Sequence, residues 1–98
     1  MNVEFRNGDL DRLDTDPGFL MGLPEHVVKA YRRRLWSIRC LTDERGLYAT
    51  RGNHFKRLQG DRAHQYSIRL NDQFRLIVEI RQGTPKNTLI VVSVEDLH

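Results

Sequence analysis

Val27, Val28, Tyr31, Leu35, Ile38 and Leu41 recur three or four positions apart, the period of an amphipathic helix. Pro24 suits a first helical position, where its missing N–H would have no partner anyway. The spacing predicts a helix over residues 24–42. Arg32, Arg33 and Arg34 are consecutive and cannot all share the apolar stripe, so two of them must face solvent. Further along, the period shortens to two. Tyr66, Ile68 and Leu70 alternate with Ser67 and Arg69; Phe74, Leu76, Val78 and Ile80 alternate with Arg75, Ile77 and Glu79. Both runs predict half-buried strands. The run TLIVVSVED, residues 88–96, predicts a closing strand buried on both faces.

Turn chemistry separates these elements. GDLDRLDTDPGF, residues 8–19, is acidic and ends in Asp-Pro-Gly, which predicts a short helix and then a turn. VEFR, residues 3–6, predicts a short first strand, and residues 42–53 read as loop. Asn71-Asp72 and residues 81–87 read as turns. The sum is one α+β domain over 1–98, with N-terminal helices packed on one face of a small antiparallel sheet. The other face of that sheet is then free to bind.

Charge sharpens this picture. Net charge is only +3, but residues 1–25 carry six acids and two bases, whereas residues 29–75 carry twelve Lys and Arg and four acids. A basic block of that size attracts phosphate backbones or an acidic protein. No apolar run approaches membrane-spanning length, and Met1-Asn2-Val3-Glu4 is no signal-peptide start, so a cytoplasmic chain without membrane contact is expected. Cys40, the single cysteine, forms no internal disulfide and reads as a small buried group on the long helix.

Metal and cofactor chemistry find little support. Asp14, Asp16 and Glu25 match three positions of a calcium loop, but Phe19 stands where that loop needs glycine. His26, His54, His64 and His98 lack ligand spacing, and no phosphate-binding glycine loop or nucleophile elbow is present. No metal or cofactor is expected.

LQGDRAHQYSIRLNDQFRLIVEI, residues 58–80, together with the terminal EDLH, resembles the HigB branch of the RelE/ParE toxin superfamily. The matching blocks are Leu58, Gly60, Asp61 and Arg62; Tyr66, Ser67 and Ile68; Asn71, Asp72, Gln73, Phe74 and Arg75; and Asp96 with His98. RGN, residues 51–53, matches the loop that often precedes the first block. The resemblance implies a RelE-like fold. It implies the toxin of a type II toxin–antitoxin system, a ribosome-dependent mRNA endoribonuclease that blocks translation. It also implies a HigA-like antitoxin partner, contact with the ribosome and mRNA, and operator DNA bound only through the antitoxin complex.

The implied reaction is attack by a 2′-hydroxyl on the adjacent phosphate, without metal. It needs a proton acceptor, cationic donors and a proton donor for the leaving oxygen. The resemblance assigns Arg75 to the phosphate, His98 to proton transfer, Asp96 to orienting His98 or a base, and Lys56 to steadying phosphate charge. Arg32, Arg33, Arg34, Arg39, Arg51, Arg57, Arg62 and Arg69 then read as RNA contacts. Two departures weaken the pattern: Leu97 replaces a usual tyrosine and Gln59 a usual lysine. They leave open a catalytically weakened module that docks an antitoxin; a ParE-like gyrase poison is a third reading. The arrangement requires the carboxyl tip and the Arg75 guanidinium on one side of the sheet.

Overall fold

The computed structural model describes residues 1–96. The chain runs β1 (Asn2–Phe5), α1 (Gly8–Thr15), α2 (Glu25–Arg39), α3 (Arg45–Ala49), β2 (Lys56–Arg57), β3 (Tyr66–Arg69), β4 (Phe74–Arg81) and β5 (Thr88–Asp96). The strands form one sheet in the order β1-β5-β4-β3-β2. Its α+β class and helix-on-sheet layering are as expected. The sheet is mixed rather than antiparallel, because β1 runs parallel to β5, with Val3 beside Leu89 and Phe5 beside Val91. A four-residue strand shows its period but not its direction. Pairing with the last strand depends on the two helices returning the chain across the sheet.

Local chemistry accounts for the helix limits. The Asn7 side chain accepts the Leu10 N–H at 3.0 Å and caps α1. Pro24 is the residue before the first turn of α2. That helix stops at Arg39, short of the expected residue 42, and the Met1 amino group donates to the carbonyls of Ile38, in its last turn, and Leu41, just beyond it. Cys40 is therefore an exposed end residue, not a buried helical one. The stretch read as loop holds α3, whose Leu47 is buried, and a single 3-10 turn at Arg51–Asn53. One apolar residue in five shows no period. A side chain on Gly46 would meet Leu41 at 2.5 Å, which is why this segment packs closely.

The core lies between the helices and one sheet face. It joins Leu10 and Leu13 of α1, Val27, Val28, Tyr31, Leu35 and Ile38 of α2, and Ile68, Leu76, Val78, Leu89 and Val91 of the sheet. The Tyr31 hydroxyl donates to the Leu10 carbonyl at 2.7 Å, and burial pushes its pKa up, so the phenol stays protonated and ties α2 to α1. Along β5 burial is one-sided: Leu89 and Val91 are enclosed, while Ile90 and Val92 are half-buried.

Candidate active site

Alternation along β3 and β4 sorts the motif residues into two sets. Tyr66, Ile68, Phe74, Leu76 and Val78 face the helices; Ser67, Arg69, Arg75, Ile77 and Glu79 face the other way. Ile77 is only 2% exposed although it is not part of the helix-side cluster. A mesh of paired side chains surrounds it on the open face. Gln65 and Arg6 donate to Glu79 at 3.1 and 2.7 Å. Arg62 grips Glu95 with both terminal nitrogens at 3.0 and 2.7 Å, and Ser93 adds a third bond at 2.7 Å.

This mesh holds carboxylates in their charged form. The hydrogen bonds from Gln65 and then Arg6 lower the Glu79 pKa, and those from Arg62 and Ser93 lower that of Glu95. A carboxyl depressed on folding adds stability above its unfolded pKa and loses it as pH falls through the folded value. Thermal melts should show stability declining as pH drops through the carboxylate range. Glu95→Gln should flatten part of that decline; an unaltered profile would remove Glu95 as a contributor.

Arg75 stands apart from this mesh. In register it lies between Arg69 on β3 and Glu95 on β5. Glu95 is already held by Arg62, and Arg69 pairs with Asp72. No described residue hydrogen-bonds the Arg75 side chain, and its Nη1 is buried without a partner among the described residues. Two cations directly opposite on neighbouring strands repel, and a buried guanidinium nitrogen without an acceptor is costly. An anion seated on this face relieves both.

Lys56 adds a second cation. Phe55 stacks on Tyr66 at 4.9 Å and meets Tyr48 edge-on at 4.7 Å, holding short β2 against β3. Alternation then turns exposed Lys56 to the open face opposite Ser67. Strand spacing puts Lys56 and Arg75 about 12 Å apart at the backbone, so that both long side chains reach one phosphate. Arg34 steadies this corner from the helix side. It donates to the Arg69 carbonyl at 3.1 Å and to the Asn53 side chain, which itself donates to the Leu47 carbonyl at 3.2 Å.

The remaining sequence candidates divide. Arg62 and Arg69 are on the open face, each paired with an acid. Arg51 and Arg57 are exposed near β2, and Arg57 donates to the Ala63 carbonyl. The α2 arginines are on the opposite side of the sheet from Arg75. Arg32 donates to the carbonyls of Leu13, Asp16 and Phe19 at 2.9, 2.7 and 3.3 Å, and Arg39 pairs with Asp14 at 2.7 Å. Arg33 faces solvent. The helix layer and the sheet thus separate Arg32, Arg33 and Arg39, expected as contacts to ribosomal RNA, from the face that carries Arg75.

Asp96, expected to orient His98 or a base, is placed away from Arg75. Val78 pairs with Val91 and Ile77 with Ser93, so Val92 is an extra residue in β5. This bulge reverses the phase of the strand. Glu95 comes opposite Arg75, whereas Asp96 comes opposite Phe74 on the helix side and accepts from Gln73 at 2.9 Å. Glu95 is thus the acid beside Arg75, a neighbour that sequence reasoning missed, and its position two residues after Ser93 carried no signal of its own. Leu97 and His98 lie outside the described residues. Among the described residues no His, Cys, Asp and Glu form a group able to hold a metal ion, and no helix is long and apolar enough to cross a membrane.

The whole chain superposes on the whole of a YoeB/ParE toxin from Agrobacterium tumefaciens with a TM-score of 0.62 at 15% identity, a likeness of fold. Residues 3–93 match the family described as RelE-like toxin of type II toxin-antitoxin system HigB. Toxin HigB-1 of Vibrio cholerae serotype O1 is 30% identical over 90 residues, covering 92% of this chain and 95% of that protein. The chain belongs to the HigB-like family of RelE-like type II toxins.

Proposed function

We propose that this toxin is a metal-independent endoribonuclease that cuts mRNA on the ribosome and so blocks translation in the cytoplasm. The observation that carries the reading is Arg75, whose buried Nη1 has no partner among the described residues, on a face where the neighbouring charges form ion pairs. A planar guanidinium with free donors suits the two-pronged grip of a phosphate. The 2′-hydroxyl gives its proton to solvent as its oxygen bonds to phosphorus and the P–O5′ bond breaks; negative charge grows on the phosphate oxygens, and donors already in place stabilise it without reorganisation. Lys56 supplies a second positive charge. His98 is the proposed proton donor to the leaving 5′-oxygen, since an imidazole both gives and takes protons in catalysis. The family membership supports an antitoxin partner, here a HigA-like protein, with operator DNA contacted only through that complex.

Primer extension on message from cells expressing the toxin tests this. Wild type should produce cuts within translated regions. His98→Ala should remove them, and Lys56→Ala should weaken them without changing their positions. Toxicity with no cuts from any of the three would sink the nuclease. A toxin-fold module that only docks the antitoxin is the second reading, favoured by Gln59, by Leu97 and by the placement of Asp96 away from Arg75. It predicts neither cuts nor growth arrest.

A further inference from the structure

The chain's single tryptophan is in an unusual place. Trp36 is 72% exposed, on the side of α2 that faces away from the sheet. Helical spacing sets Arg33 and Cys40 beside it, three and four residues away, and Lys29 two turns back on the same side, seven residues away. Arg33 is exposed and pairs with no described acid; Lys29 meets only exposed Glu25, at 3.2 Å. Next to this stripe lies a groove of about 270 Å³, lined by Ala30, Arg33, Arg34, Ser37 and Leu70. The surface thus joins an aromatic anchor, an arginine paired with no described acid and a hollow where Ala30 and Leu70 lie between Arg33, Arg34 and Ser37. Tryptophan and arginine are the residues most enriched where binding energy concentrates in protein interfaces.

We propose that this face of α2 is where the antitoxin docks, through a segment that carries acidic and apolar residues. The inference rests on the toxin reading above and deepens it by naming the surface. Charge selects the occupant: the exposed cations call for carboxylates, and the groove beside them takes an apolar side chain. Position argues against RNA here. Arg75 is on the other side of the sheet, in a molecule whose shortest dimension is 25 Å. A strand held at Arg75 does not also lie along α2.

The sole thiol and the sole tryptophan both fall on this stripe, so each reports on it directly. The full-length toxin is titrated with its purified cognate antitoxin, and the rate of Cys40 alkylation is measured in free toxin and in the saturated complex. Alkylation should slow severalfold on binding. Arg33→Glu and Trp36→Ala should each weaken the complex by about thirtyfold, with unchanged melting and unchanged RNA cleavage. A tight complex with Cys40 as reactive as before, or wild-type affinity in both variants, overturns the surface while leaving the partner intact. Complete absence of binding by wild type overturns the partner as well. Protection of Cys40 in toxin alone at high concentration, or by RNA in place of antitoxin, assigns the face to another occupant and overturns the proposal.

Discussion

Arg75→Ala should lower the rate of RNA cleavage by about 10²–10³-fold, the usual effect of removing one preorganised donor from a developing oxyanion. Its thermal midpoint should stay level or rise. The two expectations belong together. A guanidinium that stabilised the fold would have an acceptor, and its loss would leave that acceptor stranded. Arg75 has no described partner and faces Arg69 across the strand pair, so its removal relieves repulsion and frees a buried donor. The opposing effect is loss of packing by the arginine stem over the sheet, which keeps the net change small. Arg75→Lys should recover only part of the activity, because an ammonium is a point charge and not a fork. Calorimetry beside a cleavage assay on a translated message decides the matter. A strong fall in midpoint with proportionate loss of activity would make Arg75 structural.

Arg32→Ala should do the reverse, costing about 2–3 kcal/mol of stability, as for hydrogen bonds made by a charged group. Arg32 is half-buried and gathers the carbonyls of Leu13, Asp16 and Phe19, which pins the α1–α2 connection to α2. Alanine leaves those acceptors to find water in a partly closed site. Arg33→Ala, one residue along and facing solvent, should leave stability within about 0.5 kcal/mol of wild type. Urea unfolding of the two variants side by side checks the contrast. Equal stability in both would mean that the three carbonyls rehydrate freely. Two adjacent arginines in one basic run thus carry different roles, and only their angular position on the helix separates them.

The open face of the sheet was legible before any coordinates. Period-two alternation put Arg75 opposite the Phe74 side, where the strand pairing has it. Side-chain alternation is a covalent property of extended chain, so it survives folding unchanged. The long helix was legible for the same reason, through its apolar period. Its C-terminal end was not, because the carbonyls there meet the amino group of Met1, a contact across some forty residues that no local pattern carries.

The position of Asp96 shows the limit most clearly. Plain alternation from Leu89 sets residue 96 on the open face together with Ile90. One extra residue at Val92 inverts that and brings Glu95 to Arg75. A bulge is a property of how two strands are matched, so it exists only once β4 and β5 have paired. The sequence by itself determined the α+β class, the basic helix, the strand phases of β3 and β4 and the toxin family, because periodicity and short motifs are local. The tertiary structure alone decided the parallel pairing of β1 with β5, which arginines are engaged within the protein and which face outward, and which acid stands beside Arg75. Each of these depends on contacts between residues far apart in the chain, and no run of neighbours encodes them.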